Sequence, residues 1–391
     1  VTAAEPTRSA QFAAFELQYH LRKITGAEVP IARENADLPA GRSRIFVGES
    51  RFTREAGLTS SGFAPQEYAV RLLPAGLVLI GRDAADTAQV KYDENDPFAF
   101  GTWPDFYDDH ATCYAVYDFL ERSCGVRWYR PGRIGLVCPA KPTFEPAVAE
   151  VRRTPFFKYR EPSGMTGMSE GYDAATGLWS RQKDAVKLAE MDALAYSDLV
   201  QKWGYRSWNY IHAKRGEVRK FLHRMRVGGE RYSCNHSFYG YYNRFLNPPA
   251  DPKAAALFVG KKAEWFAQGY EGLPPQMCYT NPEFVAQVVR DARDYFDGRG
   301  AKPGAVAAGD YFALVPMDNS SYCRCPRCAA ETNAADAAGM FSNGRYSNHV
   351  FNFANKVARE VAKTHPDKTL SRLAYASYAY PPSFAVEKNI S

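Results

Sequence analysis

One short stretch, residues 311–328, YFALVPMDNSSYCRCPRC, combines a carboxylate with three cysteines. Its first six residues are mostly apolar and read as a buried strand. Asp318 follows where that strand ends. Enzymes built on parallel strands keep their chemistry at the C-terminal strand ends, so Asp318 is the first candidate for a catalytic or substrate-orienting carboxylate. The same residue also suits an Asx-turn or an N-cap for the following loop. Glycosidic bond hydrolysis commonly uses two carboxylates flanking the bond, one acting as acid and the other as nucleophile or base. When a substrate's own N-acetyl group attacks, the protein still supplies an acid and a group that orients the acetamide. Glu161, directly after a predicted strand at 156–160, and Glu170, in a Gly- and Met-rich loop, are the other acids near predicted strand ends. Both also fit surface or salt-bridge roles.

Cys323, Cys325 and Cys328 follow at C-x-C-x-x-C spacing. Structural zinc takes four ligands in a tetrahedral array, and Cys278, one predicted strand earlier, is the candidate fourth. Such a site is closed, with no open position for catalysis. Disulfides or free thiols are the alternatives. No His pair has H-E-x-x-H spacing, and no GxGxxG or P-loop follows a strand, which argues against dinucleotide and nucleotide enzymes and calls for no catalytic cofactor.

The segment 236–245, HSFYGYYNRF, joins one His to a run of aromatics. It reads either as a cleft wall, with His236 donating to a sugar hydroxyl and Tyr239 stacking, or as a buried aromatic core. Trp208 and Asn209 on one predicted strand (206–211), and Tyr375 and Tyr378 at the end of the last (370–376), are further candidates for ligand contact.

The elements that must position these groups fall into two parts. Residues 1–150 predict a small α/β domain: helices at 8–25 and 112–122, a strand at 44–47, and a hairpin at 68–80 around Pro74-Ala75-Gly76. Residues 151–391 predict alternating strands and helices, with helices at 185–203, 251–268, 281–296 and 346–363. About five such units are legible and a closed (β/α)8 barrel needs eight, so the barrel is expected to be incomplete in this chain.

Composition narrows the class without naming it. The chain has 391 residues, 46% hydrophobic and 24% charged, with a net charge of +6, as in ordinary globular proteins. No basic run with interleaved aromatics points to nucleic acid, and no apolar segment reaches the ~18 residues of a membrane span. The opening VTAAEP lacks an initiator Met, which fits a trimmed, secreted or periplasmic product.

Several segments resemble known families. FELQYHLRKITGAEVP (15–30) with IFVG (45–48), and YAVYDFLE (114–121) with GVRWYRP (125–131), are similar to the domain that precedes the barrel in hexosaminidases and α-glucuronidases. HSF (236–238), CYTNPE (278–283), PMDN (316–319) with the cysteine cluster, and LAY (373–375) resemble a bacterial barrel family long of unknown function, some of whose members are endo-β-N-acetylglucosaminidases. The resemblance implies a TIM-barrel glycoside hydrolase acting on oligosaccharides or glycans, in a setting of glycan breakdown for nutrition. An α-glucuronidase-type enzyme is the alternative, with Arg160, Arg224 or Arg226 meeting a uronate carboxylate. A non-catalytic glycan-binding protein on the same scaffold is another.

Overall fold

The computed structural model describes residues 1–143, 150–161, 172–173, 178–179, 185–333 and 340–391. They divide into two compact units, Val1–Glu230 and Arg231–Ser391. Among the described residues, no helix is long and apolar enough to cross a membrane.

In the first unit the helix Arg8–Thr25 starts on Thr7, whose side chain accepts from the Ala10 N–H, and stops at Gly26 with φ 76°. A four-stranded sheet runs in the order Ile45–Val47, Gly76–Gly81, Tyr68–Leu73, Val151–Arg153. The first pair is parallel and the other two antiparallel. Gly76 makes the hairpin turn at φ 140°, and a Cβ there would meet the Arg44 carbonyl at 2.2 Å. The helix Ala111–Arg122 is almost wholly buried and shares one core with the first helix and the sheet.

Two predicted elements of this unit differ in the structure. Residues 206–211 form no strand: Ser207 caps a helix, Trp208–Arg224, by accepting from the Tyr210 N–H. The β-prone Trp208-Asn209-Tyr210-Ile211 run is overridden by that cap and by the burial of Tyr210, Val218 and Leu222. The predicted helix at 185–203 is two, Ala185–Ala195 and Ser197–Trp203, parted at Tyr196.

In the second unit the strand Tyr311–Ala313 pairs in parallel with Thr369–Ser371, and the helix Ser347–Ala362 lies between them in sequence, which makes a βαβ unit. The strand Ala307–Ala308 pairs antiparallel with the first. Parallel bridges join His236 to Val315 and Leu370 to Ile390. The helix Pro282–Asp294 begins on Asn281, which accepts from the Glu283 and Phe284 N–H groups, with Pro at the first turn. Its core is aromatic: Phe238, Tyr241, Phe284 and Phe353 pack together. The predicted helix at 251–268 is reduced to Pro252–Ala255 and a single turn, Ala263–Trp265. The backbone donors between them go elsewhere, Val259 to the Arg244 carbonyl and Lys262 to that of Phe245.

One buried ion pair gives the first unit a pH dependence. Arg224 Nε and Nη2 grip the Glu16 carboxylate at 2.7 and 3.0 Å, and the Tyr92 hydroxyl donates to it as well. Burial pushes the Glu16 carboxyl up, but Arg224 more than offsets this and holds it at about 2. A carboxyl depressed in the folded state adds stability above its unfolded value and loses it as pH falls. Here ~3 kcal/mol is present above ~pH 5 and is lost as pH falls through ~4.5 toward ~2. Glu16→Gln should cost ~3–5 kcal/mol at pH 7, because it strands a buried guanidinium, and should flatten that acid slope. Urea denaturation of both proteins between pH 7 and pH 3 measures each effect.

Candidate functional site

Residues 265–267 and 276–278 form a short antiparallel ladder: the Ala267 N–H donates to the Gln276 carbonyl and the Cys278 N–H to that of Trp265. This sets Cys278 against the loop that follows the strand Tyr311–Ala313. The Arg324 N–H donates to the Gln268 carbonyl, and the Tyr270 hydroxyl donates to the Tyr322 carbonyl. Cys325 then caps a single helical turn, Pro326–Ala329, with Pro at its start, and that turn carries Cys328 inward.

The result is one buried cluster. The sulfurs of Cys278, Cys323, Cys325 and Cys328 all lie within 4.8 Å of one another. Cys278 Sγ is 3.9 Å from that of Cys325 and 3.7 Å from that of Cys328. These are far from the ~2.05 Å of a disulfide and close to the ~3.8 Å edge of a tetrahedron built on 2.3 Å metal–sulfur bonds. Polar donors surround the sulfurs: the Gln268 N–H lies 3.3 Å from Cys323 Sγ, and Thr280 Oγ1 lies 3.1 Å from Cys328 Sγ. Hydrogen bonding from Cys323 and Cys328 pulls the Cys278 thiol far below its usual range, while the same contacts push Cys323 and Cys328 up. Four soft donors buried within 4.8 Å of one another are a set that can hold a metal ion.

The same loop carries Asp318. The buried Gln276 carboxamide brackets its base, donating to the Met317 and Asn319 carbonyls at 2.8 and 2.9 Å and accepting from the Met317 N–H at 3.2 Å. Gln276 precedes Cys278 by two residues, so one short segment fixes both the cysteine cluster and the strand end. The Asp318 side chain itself is 66% exposed. His236 Nε2 approaches its Oδ1 at 3.5 Å. His236 Nδ1 faces the Pro316 carbonyl, which can only accept, so Nδ1 carries the proton and Nε2 is left toward Asp318. The Asp318 N–H donates to the Tyr239 hydroxyl at 3.0 Å, which leaves that hydroxyl its own proton to give.

The structure spreads the remaining candidates. Tyr239 and Tyr375 are exposed, and Tyr375 meets the exposed Phe341 edge-on at 5.4 Å. Tyr378 is buried and interacts electrostatically with both Asp318 and Tyr375. Trp208 and Asn209 sit in the first helical turn of Trp208–Arg224 in the other unit, where the exposed Trp208 packs against His212. Glu161, also in the first unit, accepts from the Tyr107 and Tyr159 hydroxyls. Glu170 lies outside the described residues. The three arginines considered for a uronate are engaged: Arg160 with the Arg226 carbonyl, Gln66 and Tyr114, Arg224 with Glu16, and Arg226 with Glu121. Sequence reasoning missed Gln276 and Thr280, whose signal was their position two residues either side of Cys278.

Reduced protein should bind one equivalent of Co(II) with an intense near-ultraviolet thiolate-to-metal band. Cys278→Ser should weaken that affinity at least ~10-fold. Optical titration of both proteins reads the outcome.

No curated protein and no solved structure matches the chain. Residues 134–391 match a family described as a domain of unknown function, DUF4838. The match takes in the cysteine cluster and Asp318 together, and the chain belongs to the DUF4838 family.

Proposed function

We propose that the protein is a glycoside hydrolase whose active face lies at the C-terminal end of residues 311–316, with Asp318 as the catalytic or acetamide-orienting carboxylate. The observation that carries this reading is an exposed carboxylate at the end of a parallel-paired strand, with an imidazole nitrogen 3.5 Å away. His236 and Tyr239 are well placed to hydrogen-bond sugar hydroxyls, and the exposed rings of Tyr239 and Tyr375 offer faces for stacking. A (β/α)8 barrel is the scaffold this reading expects, and a β-N-acetylglucosaminide is the first substrate class to try.

The metal in this reading is zinc, and its role is structural. Cys278, Cys323, Cys325 and Cys328 would supply all four ligands of a tetrahedral zinc, which would leave no position for water or substrate. Zinc would fix the loop that carries Asp318 without entering the chemistry.

The test is hydrolysis of complex N-glycans, N-acetylglucosaminides and glucuronoxylan by the full chain, wild type beside Asp318→Asn, read by mass spectrometry. Wild type should cleave one class, and the variant should lose ~10²–10⁴-fold in kcat/KM. Uncut glycans across the panel, with measurable binding, would replace the hydrolase reading with a glycan-binding one. Undiminished cleavage by Asp318→Asn would move the active face elsewhere.

A further inference from the structure

Arg372 follows the strand Thr369–Ser371 directly. Its side chain is buried, with the residue only 7% exposed. One nitrogen, Nη1, donates to the Val350 carbonyl at 2.8 Å. The other two, Nε and Nη2, are buried and have no hydrogen-bond partner among the described residues. These two N–H groups form the side-on edge of the guanidinium, the edge that grips a carboxylate with two parallel hydrogen bonds.

Among the described residues, no carboxylate forms an ion pair with this cation. The groups that act on it most strongly are Tyr378, Tyr322, Tyr279 and Cys234. Burial pushes the hydroxyl or thiol of each upward, so all four stay neutral at neutral pH. The guanidinium carbon lies over the rings of Phe351 and Tyr378 at 4.6 and 5.8 Å from their centroids, contacts that give the Nε and Nη2 hydrogens no acceptor. The Tyr378 hydroxyl is also buried without a partner among the described residues. Burying a charge without a partner is costly, and burial outweighs the opposing pull of these groups and drags Arg372 down to about 10. Arg372 and Asp318 follow the C-terminal ends of two parallel-paired strands, and the Ser320 hydroxyl, two residues past Asp318, donates to that of Ser377, next to Tyr378, at 3.2 Å.

The geometry points to Arg372 as a carboxylate-recognition residue: its Nε–Nη2 edge, with the Tyr378 hydroxyl, takes the carboxylate of an acidic sugar bound at the Asp318 site. This rests on the glycan reading of that site and adds to it a substrate class, glycans with a uronic acid or similar carboxylate-bearing unit. The arginines that the sequence offered for this role are engaged in the other unit, whereas the buried Nε–Nη2 edge of Arg372 has no partner among the described residues.

Methyl β-D-glucuronide and methyl β-D-glucoside differ only in a carboxylate against a hydroxymethyl group, which makes them the probes. On the full chain the glucuronide should bind at least ~10-fold tighter by calorimetry. Arg372→Lys, which keeps the charge and loses the fork, should abolish that preference. Should the variant fail to fold, the wild-type Arg372 Nε–H resonance serves instead: it should shift on saturation with the glucuronide and stay in place with the glucoside. Equal binding of the two glycosides, binding of neither, or an unmoved Nε–H resonance would overturn the inference. Cleavage of neutral glycans without glucuronide preference removes this inference and leaves the hydrolase reading standing. Glucuronide binding through Arg372 without cleavage of any glycan does the reverse.

Discussion

Four cysteine sulfurs, carried by the segment at 276–280 and the loop at 320–329, are held within 4.8 Å of one another in a buried site. Thiols gain little from such crowding on their own, and thiolates would repel one another. The arrangement is favourable when hydrogen bonds and a cation share the charge. The surroundings supply the hydrogen bonds, through the Gln268 N–H and the Thr280 hydroxyl. Pro326 and the single turn it opens set the inward aim of Cys328. Much of the second unit's loop structure between the core and the strand end depends on this one constraint.

Its consequence for function lies a few residues upstream. Asp318 is an exposed side chain on an irregular stretch, and such residues usually sample many positions. Here the stretch is tied at both ends. Gln276 holds the Met317 and Asn319 backbone from below, and the cysteine cluster anchors the chain from residue 323 onward. His236 is fixed in turn by its Nδ1 bond to the Pro316 carbonyl, and the parallel bridge to Val315 sets its height along the strand. A carboxylate and an imidazole are thereby held 3.5 Å apart by backbone contacts on both sides. The buried Arg372 edge below Tyr378 adds a cation to the same end of the fold.

The sequence revealed those features that local physics decides. The helix Arg8–Thr25 was legible because an amphipathic stripe ends in Gly26, which takes the left-handed conformation its position needs. The hairpin at Gly76 and the helix that begins at Pro282 were legible for similar reasons. The cysteine cluster was legible as chemistry because three of its cysteines fall within the six residues 323–328. Features set by distant partners were hidden. Trp208-Asn209-Tyr210-Ile211 has the composition of a strand, and the Ser207 cap with core burial makes it a helix. Residues 251–268 look helical, yet Val259 and Lys262 spend their backbone donors on Arg244 and Phe245. Nothing in the sequence around Arg372 reveals which carbonyl takes its Nη1, and so nothing reveals that its Nε–Nη2 edge lacks a partner among the described residues.

The central claim is that a metal held by Cys278, Cys323, Cys325 and Cys328 fixes the strand end that carries Asp318. Amide hydrogen exchange across residues 316–328, compared between zinc-loaded and chelator-stripped protein, tests it most directly. The account predicts one tightly held zinc per chain and exchange that speeds at least ~10-fold in this segment when zinc is stripped, with the rest of the unit's core protected as before. A chain that retains no zinc, or whose exchange over these residues is the same in both states, would contradict it.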